Sequence, residues 1–423
     1  MNVAVIGIGR VGLPIAAAVA LRGHQVIGCD IDPDRVDSVR QARNPWPDEH
    51  GLSSILQTVV GAGHLKATTD TVAGVANADV VLFAVAVDVD DRGVVDLRPL
   101  EAATDAAARG IKKGALCILD TTLPVSTTRT ALLPRLERSG YRLGEDLFVA
   151  FSPERLMMGR VIEDITKYPK VVGGVDAESG RRASSFFKTA LGVNVIELES
   201  AEAAELTKLA EGAYRDLNIA LANELAQVAD IWGVDVSEVF RAANSQPFSH
   251  LHTPGTGVGG HCIPVYPQFL IKSEGPSTLA AAGREVNDSM PGYGVKRLEE
   301  ALGSLEGKRV VVMGLTFRPD VAVTAHTNAV GLLRELLLAG AIVHGHDPLL
   351  TPEDVRSLGF DPAPAAPAGY DAVIVHALHE GYRGLGWGSI APVLLDARNA
   401  LDRREVEDSG SIYIGIGRPA SSA

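Results

Sequence analysis

The chain has 423 residues, of which 46% are hydrophobic and 22% charged, and its formal net charge is −13. This composition is typical of a protein with large hydrophobic cores and excludes an intrinsically disordered chain. The acidic balance and the lack of a long basic run argue against nucleic acid as the main partner. At about 150 residues per domain, the length predicts two or three domains.

We expect neither a membrane span nor an export signal. The sequence has no uninterrupted apolar run of about 18 residues, and its first apolar run is short and not preceded by basic residues. Cys29, Cys117 and Cys262 lie too far apart in the sequence for a zinc motif or a disulfide framework. These features predict a cytoplasmic protein with reduced thiols, no membrane partner and no structural metal.

The first thirty residues alternate between strand and helix patterns, as a dinucleotide-binding fold requires. Residues 3–6 and 25–29 are predicted strands, residues 15–21 a helix, and the turn between them reads Gly7-Ile8-Gly9-Arg10-Val11-Gly12. Glycines let such a turn approach a pyrophosphate at the helix N-terminus. Asp30 would accept hydrogen bonds from the adenosine ribose and repel a 2′-phosphate, so NAD is predicted rather than NADP. Arg35 is a further candidate for contact with the ribose or the adenine.

The strand–helix alternation continues along the next part of the chain. Predicted strands cover residues 78–87, 115–120, 147–151 and 171–174, and a predicted helix covers residues 98–109. Thr122 and Glu154 follow two of these strands, at the carboxyl ends where doubly wound sheets bind ligands. From position alone, Thr122 could equally be a helix cap, and Glu154 a solvated loop acid.

A long helix is predicted over residues 200–232. Its apolar residues recur at spacings of three and four from Leu206 to Val228, which predicts a buried stripe. Lys208 lies on one flank of this stripe, where a lysine is usually solvated. Long central helices often pack against each other across a two-fold axis, so we expect a homodimer.

Residues 244–267 form a predicted loop rich in Gly, Pro, His and Ser, and this loop carries Cys262 behind Gly257 and Gly259. A thiol held there could attack a carbonyl carbon while nearby backbone N–H groups stabilise the oxyanion. From the loop alone, a buried structural cysteine is the alternative.

A second α/β cycle begins at residue 308. Strands are predicted at residues 308–315, 342–346, 372–376 and 393–396, with a helix at residues 327–339. The first turn lacks the full dinucleotide fingerprint. A second nucleotide-like ligand is expected at these strand ends, with Arg318 and Arg398 as anion contacts or, alternatively, as ordinary surface arginines.

Taken together, these motifs resemble the nucleotide-sugar 6-dehydrogenase family (UDP-glucose, UDP-N-acetylmannosamine and GDP-mannose dehydrogenases). The matching stretches occur in the family's order along nearly the whole chain: residues 7–14, 120–122, 152–156, 205–211, 218–224, 257–264, 314–320 and 396–399. The resemblance implies an N-terminal Rossmann domain that binds NAD, a central long-helix dimerisation domain and a C-terminal Rossmann-like domain that binds the nucleotide sugar. The expected boundaries are 1–198, 199–303 and 304–423.

The resemblance also implies a reaction and its residues. The family oxidises the C6 hydroxymethyl of a nucleotide hexose to a carboxylate with two NAD⁺, through a thiohemiacetal and a thioester on the cysteine that matches Cys262. Glu154 matches a general base for water, Lys208 a lysine that stabilises the oxyanion, and Thr122 a threonine that positions water or sugar. The implied cofactor-binding set is Gly7, Gly9, Arg10, Val11, Gly12, Asp30, Arg35 and Thr122. The implied substrate-binding set is Glu154, Arg155, Leu156, Lys208, Gly257, Gly259, Phe317, Arg318 and Arg398.

The chain departs from the family pattern at several positions. Gly212 stands where many members have an asparagine, and Tyr266 stands where many have an acid. Gln246 replaces an arginine that reaches the partner's substrate, and the cofactor-contacting arginine is missing near Ala325. The family's threonine-proline is also missing around residues 87–88. The variants around Gly212 and Tyr266 favour N-acetylamino-sugar or secondary-metabolism branches, so the implied substrate is a sugar of the UDP- or dTDP-glucose type or a UDP-N-acetylhexosamine.

Two other functions are compatible with the sequence. One is a two-electron hydroxyacid dehydrogenase with the same N-terminal sheet and helical middle, although neither the cysteine loop nor the second sheet is needed there. The other is a nucleotide-binding homologue that has lost catalysis, which only the departures support.

Overall fold

The structure is a computed structural model that describes residues 1–90, 93–273 and 275–419. It divides into two compact units, one built from residues 1–211 with 272–273 and the other from residues 212–271 with 275–419. The three expected domain boundaries stay a prediction. No helix in the described part of the chain combines the length and apolar character needed to cross a bilayer.

The first unit is organised by one large sheet. Its strands and a short hairpin are β1 (Asn2–Ile6), β2 (Gln25–Cys29), β3 (Leu65–Thr68), β4 (Val80–Phe83), β5 (Asp88–Val89), β6 (Val95–Asp96), β7 (Ala115–Leu119), β8 (Leu147–Phe151), β9 (Lys170–Gly174) and β10 (Val195–Leu198). Its helices are α1 (Gly12–Leu21), α2 (Pro33–Arg40), α3 (Leu52–Gly61), α4 (Thr71–Val75), α5 (Arg98–Ala108), α6 (Leu133–Leu136), α7 (Val161–Asp164) and α8 (Ala177–Ala190), with a π-helical turn at Thr128–Leu132 and a 3₁₀ turn at Glu137–Ser139.

The sheet has the order β10-β9-β8-β7-β4-β1-β2-β3. Its neighbours pair in parallel except β8 and β9, which are antiparallel, with Phe151 opposite Gly173. The strand predicted at residues 78–87 ends at Phe83, and the chain then enters the β5–β6 hairpin. The reversal at β9 has a consequence for the site, because β9 begins at the edge where β7 and β8 end.

The predicted long helix is confirmed as α9 (Ala201–Trp232). The expected buried stripe is found only in part, because Leu209 is fully buried whereas Leu221 and Val228 are 46% and 45% exposed. Beside them, Ala222, Ala226 and Ala229 are buried in the core of the second unit. The helix therefore packs through its alanines, which allow close approach, and leaves a face of larger apolar side chains uncovered.

The second unit contains a smaller sheet. Its strands are β11 (Arg309–Met313), β12 (Ile342–His346), β13 (Asp361–Pro362), β14 (Ala372–Val375), β15 (Val393–Asp396) and β16 (Ile412–Gly415), in the order β13-β12-β11-β14-β15-β16. Its helices are α10 (Val236–Ala243), α11 (Tyr266–Ile271), α12 (Thr278–Leu302), α13 (Ala329–Leu338), α14 (Pro352–Ser357), α15 (Trp387–Ile390) and α16 (Arg403–Asp408), with a 3₁₀ turn at Glu380–Tyr382.

Every strand pair of this second sheet is parallel. The predicted fold class, α/β with Rossmann-type sheets at both ends of the chain, is confirmed. Residues 244–265 form the expected long loop, since this described stretch contains neither helix nor strand.

Candidate active site

The glycine turn after β1 has the shape that a pyrophosphate needs. Gly7 has a φ of 88°, and a Cβ there would lie 2.8 Å from the carbonyl oxygen of Ala84. A Cβ on Gly12 would lie 1.9 Å from the Gly7 oxygen, so larger residues cannot occupy these two positions. Apart from Gly9 and its two chain neighbours, no heavy atom of the described residues lies within 4 Å of a Cβ built on Gly9, which leaves its backbone open to a ligand. Val11 caps α1 without a side-chain hydrogen bond, and α1 begins at Gly12, the last glycine of the turn, so the turn leads directly into a helix N-terminus that can bind an anion.

Asp30 is fixed beside the glycine turn. Its Oδ2 accepts a hydrogen bond of 3.0 Å from the Ile8 N–H and lies 3.5 Å from Nη1 of Arg35. A carboxylate accepts about four hydrogen bonds, so capacity is left for a ribose hydroxyl. The predicted cofactor residue Arg10 instead donates to Asp48 at 2.7 Å. The roles of these residues towards the cofactor stay predictions.

Two predicted catalytic residues follow neighbouring strands of the first sheet. Thr122 is 5% exposed just beyond β7, and the Glu154 side chain is 12% exposed just beyond β8. Arg155 lies 2.7 Å from Oε1 of Glu211, so its guanidinium is already paired with a carboxylate inside the unit. Leu156 packs against the hydrophobic core. The strand ends thus bring Thr122 and Glu154 to one edge, as the sequence predicted.

Glu154 belongs to a buried charged cluster that the sequence reasoning missed. Lys170 Nζ donates to Glu154 Oε2 at 2.8 Å and to Asp120 Oδ1 at 3.1 Å. Burial raises the pKa of Asp120 to about 7, with the Glu154 charge adding to the effect. Burial alone would also raise the pKa of Glu154, but the Lys170 ammonium outweighs it and lowers that pKa.

The strand direction explains why Lys170 was missed. Lys170 opens β9, and in an all-parallel sheet the first residue of a strand lies at the edge away from the ligands. Because β9 runs antiparallel to β8, Lys170 instead lies at the carboxyl end of β8. Asp120 lies in the family-like stretch 120–122, for which the sequence predicts no separate role of the aspartate. The signal in the sequence is a lysine directly before the apolar residues of a predicted strand.

Lys208 lies on α9 and is half-buried, next to the fully buried Leu209. One turn earlier, Glu205 anchors this part of the helix, accepting bonds from the N–H and the hydroxyl of Thr128 at 2.8 and 2.6 Å. Burial raises the pKa of Glu205 to about 7. The helix is therefore fixed firmly beside Lys208, whose catalytic role stays a prediction.

Cys262 differs from the other two cysteines in its exposure. Cys29 and Cys117 are buried, and burial raises the pKa of each thiol to about 12, whereas Cys262 is partly exposed. Gly257 and Gly260 in front of it have φ values of 109° and 91°, a conformation that only glycine adopts without strain. The loop thus presents a thiol that the rest of the unit leaves accessible.

Close packing fixes the shape of this loop. A Cβ on Gly257 would lie 2.0 Å from Nδ2 of Asn328, and one on Gly260 would lie 2.7 Å from the ring of Phe317. A Cβ on Gly259 would lie 3.1 Å from Cβ of Phe317. Phe317, predicted to bind substrate, therefore forms part of the wall behind the glycines, with the Arg318 guanidinium 5.7 Å from its ring centre.

Arg398 ties the loop to the second sheet. Its Nη1 donates to the Gly257 carbonyl oxygen at 2.5 Å, and its Nε donates to the His376 carbonyl oxygen at 3.3 Å. Burial lowers the pKa of Arg398 to about 10. The side chain predicted to bind an anion thus also holds the cysteine loop, and its contact with substrate stays a prediction.

A buried polar network supports the start of the same loop. The Gly255 N–H donates to Asn223 of α9 at 2.9 Å, and Asn223 donates to Asn287 of α12 at 2.9 Å. Asn287 in turn donates to Asp216 at 2.8 Å, and Arg284 donates to the same carboxylate oxygen at 2.7 Å. Each of these polar side chains is buried, so breaking one link would leave its partners unpaired.

Two departures from the family pattern prove to be one contact. A Cβ on Gly212 would lie 3.3 Å from Cβ and 3.6 Å from Cδ2 of Tyr266. Tyr266 is buried, and its N–H donates to the Cys262 carbonyl oxygen at 3.0 Å. The tyrosine one turn after the cysteine therefore fills the space that a side chain at position 212 would take.

Family models match consecutive parts of the chain. The NAD-binding domain of the UDP-glucose/GDP-mannose dehydrogenase family matches residues 1–191, its central domain residues 202–289 and its UDP-binding domain residues 311–403. The chain belongs to this family. It is an NAD-dependent nucleotide-sugar dehydrogenase, so the predicted family, enzyme class and cofactor are confirmed. The open backbone at Gly9 and the buried carboxylate of Asp30 fit NAD.

Relatives resemble the dehydrogenase over its full length. A UDP-D-ManNAc dehydrogenase structure from Pyrococcus horikoshii is 30% identical, covers 99% of both chains and gives a TM-score of 0.89. A UDP-glucose dehydrogenase structure from Pyrobaculum islandicum is 30% identical over 99% of this chain and 98% of that one, with a TM-score of 0.88. An NDP-N-acetyl-D-galactosaminuronic acid dehydrogenase from Ralstonia nicotianae is 31% identical over 96% of this chain and 97% of its own.

Proposed function

We propose that this dehydrogenase oxidises the C6 hydroxymethyl of a nucleoside-diphosphate hexose to a carboxylate in two steps, with Cys262 holding the intermediate. The observation that carries the proposal is the accessible thiol of Cys262 on a loop fixed by Arg398 and Phe317. A thiol is required because a free aldehyde would escape or hydrate before the second oxidation.

The residues have the following roles. The glycine turn and Asp30 would hold NAD⁺, which would supply the hydride acceptor for each oxidation. After the first oxidation, the Cys262 sulfur adds to the aldehyde carbon and forms a thiohemiacetal. Lys208 stabilises the oxygen as it becomes negative. The second oxidation gives a thioester, and Glu154 removes a proton from the water that hydrolyses it, while Thr122 positions that water.

The sugar is proposed to be an N-acetylhexosamine linked to UDP. Two of the relatives described above carry the names of N-acetylamino-sugar dehydrogenases and cover nearly the whole chain. UDP-glucose and dTDP-glucose are the alternative substrates, because a relative of equal identity is a UDP-glucose dehydrogenase.

NADH release over a panel of UDP-, dTDP- and GDP-hexoses tests the proposal. Two NADH per sugar and a mass gain of about 14 (CH2OH to COOH) are expected for the true substrate. One NADH with an aldehyde or ketone product would instead indicate a two-electron dehydrogenase. Binding of NAD without turnover of any sugar would indicate a homologue that has lost catalysis.

We also propose that the enzyme is a cytoplasmic homodimer joined through α9. The uncovered face of this helix carries Tyr214, Leu221, Val228, Ile231 and Trp232, which are 45–81% exposed in a single chain. Contiguous apolar surface of this kind is typical of an interface. Light scattering should give twice the monomer mass of 44.5 kDa, and a monomer at micromolar concentration would contradict the proposal.

A further inference from the structure

The buried cluster of Asp120, Lys170 and Glu154 has a geometry suited to moving a proton. Lys170 Nζ bridges the two carboxylates, and its side chain is 6% exposed while that of Asp120 is 2% exposed. The Glu154 side chain is 12% exposed. Glu154 is therefore the most exposed member of the cluster, and Asp120 is the most enclosed.

We propose that Asp120 is the second carboxylate of a proton relay, which takes over the proton that Glu154 removes from the hydrolytic water. This inference rests on the proposed function. In the step, the water oxygen bonds to the thioester carbon, the carbon–sulfur bond breaks with its electron pair leaving on the Cys262 sulfur as a thiolate, and the water proton passes through Glu154 to Asp120. Lys170 is a positioning residue that keeps both carboxylates together and stays protonated.

The order of proton affinities supports the direction of transfer. Burial raises the pKa of Asp120 to about 7, and the hydrogen bond it shares with Glu154 adds to that effect. The Lys170 ammonium lowers the pKa of Glu154 despite burial, as does the bond from the Arg155 N–H. A proton taken up by Glu154 is thus held more favourably on Asp120.

The cluster lies against an aromatic ring and next to an existing ion pair. The ring of Phe187 lies 5.0 Å below Lys170 Nζ, and the guanidinium of Arg155 is paired with Glu211. Two carboxylates and one ammonium in such a place carry one excess negative charge, which a single shared proton removes. The cluster is therefore built to hold one proton near neutral pH.

Asp120→Asn tests the relay, because it keeps the size of the side chain but cannot take up a proton. Rapid-quench measurement of thioester hydrolysis and NADH release, from pH 5.5 to 9, separates hydrolysis from the oxidations. In the wild type, hydrolysis should rise with pH through a midpoint near 7, as Asp120 loses its resting proton. In the variant this rise with pH should disappear, and the rate of thioester hydrolysis at pH 8 should fall about tenfold or more.

Intact-protein mass spectrometry gives an independent readout. During turnover, Asp120→Asn should accumulate the acyl adduct on Cys262, with two NADH formed per active site before the block. Asp79→Asn is the matched control, because Asp79 forms a half-exposed pair with Lys112 at 2.6 Å at the opposite edge of the sheet. The control should keep the wild-type pH profile.

Lys170→Met and Lys170→Arg keep the test decisive if Asp120→Asn fails to fold. Lys170→Arg should keep the pH midpoint of thioester hydrolysis near that of the wild type. Lys170→Met should move this midpoint to higher pH, because no ammonium then favours the ionised carboxylates. An unchanged pH profile in Asp120→Asn, or in Lys170→Met if Asp120→Asn does not fold, would overturn the relay, provided that two NADH per sugar still form. Failure of the wild type to form two NADH would instead refute the proposed function.

Discussion

Replacing Gly212 by asparagine should destabilise the second unit, because Tyr266 already occupies the space. A Cβ at position 212 would lie 3.3 Å from the Tyr266 Cβ, which requires a shift of a few tenths of an ångström. Alanine adds only that atom and gains about 1 kcal/mol of helix propensity over glycine, so its net effect should be close to zero. Asparagine adds three more heavy atoms against a buried ring, for which overpacking costs about 1–3 kcal/mol.

The assay is urea unfolding of the wild type, Gly212→Ala, Gly212→Asn and the double variant Gly212→Asn with Tyr266→Ala. The free energy of unfolding of the double variant should fall by at least about 1 kcal/mol less than the sum of the decreases in the two single variants, because removing the ring removes the clash. Gly61→Asn is the matched control, since Gly61 ends α3 and a Cβ there meets no atom within 4 Å. It should change stability by less than about 0.5 kcal/mol.

Two results would refute this reasoning. Equal destabilisation by Gly212→Asn and Gly61→Asn would show that the contact with Tyr266 has no influence. Additive losses in the double variant would show the same. If the coupling is found, Gly212→Asn with Tyr266→Asp, the pair that resembles many family members, should be tolerated better than Gly212→Asn alone.

Further predictions concern the thiol, its loop and the uncovered helix face. Cys262→Ser should stall the second oxidation, which is measured as the loss of the second NADH per sugar. Full four-electron turnover by this variant would remove the thiol from the mechanism. Lys208→Ala should lower kcat more than it raises KM, and an unchanged kcat would identify the lysine as merely solvated. Arg398→Lys should hasten Cys262 alkylation relative to the wild type, because losing the bond to the Gly257 carbonyl oxygen frees the loop; an identical or slower rate would show that this bond does not hold the loop. Trp232→Glu should shift the protein towards monomer in light scattering, since Trp232 is 77% exposed in the single chain; an unchanged mass would place the interface elsewhere.

The local sequence determined much of the fold. Periodicity and glycine spacing predicted β1, the glycine turn, β2 and α9 within a residue or two, because short-range geometry governs these elements. The position of Thr122 and Glu154 at one sheet edge also followed from the sequence, since parallel strands end at the same edge. Two edge strands of the second sheet, β13 and β16, were not predicted, being short and weakly patterned.

Side-chain partners across the fold could be decided only by the tertiary structure. Arg398 was predicted as an anion contact, but its bond to the Gly257 oxygen spans 141 positions of sequence. Gly212 and Tyr266 were two separate departures in the sequence, and packing joins them into one contact. No periodic pattern encodes such pairs, because they depend on how distant elements approach one another.

The cluster around Glu154 shows the same division most clearly. The sequence by itself determined that a glutamate follows β8 at the ligand edge of the sheet. Whether that glutamate has charged partners depended on the direction of β9. The alternation of side chains along a strand does not encode this direction, because parallel and antiparallel strands have the same period of two residues. The antiparallel pairing of β8 and β9 brings Lys170 beside Glu154 and Asp120, and only that pairing turns a loop carboxylate into part of a buried charged cluster.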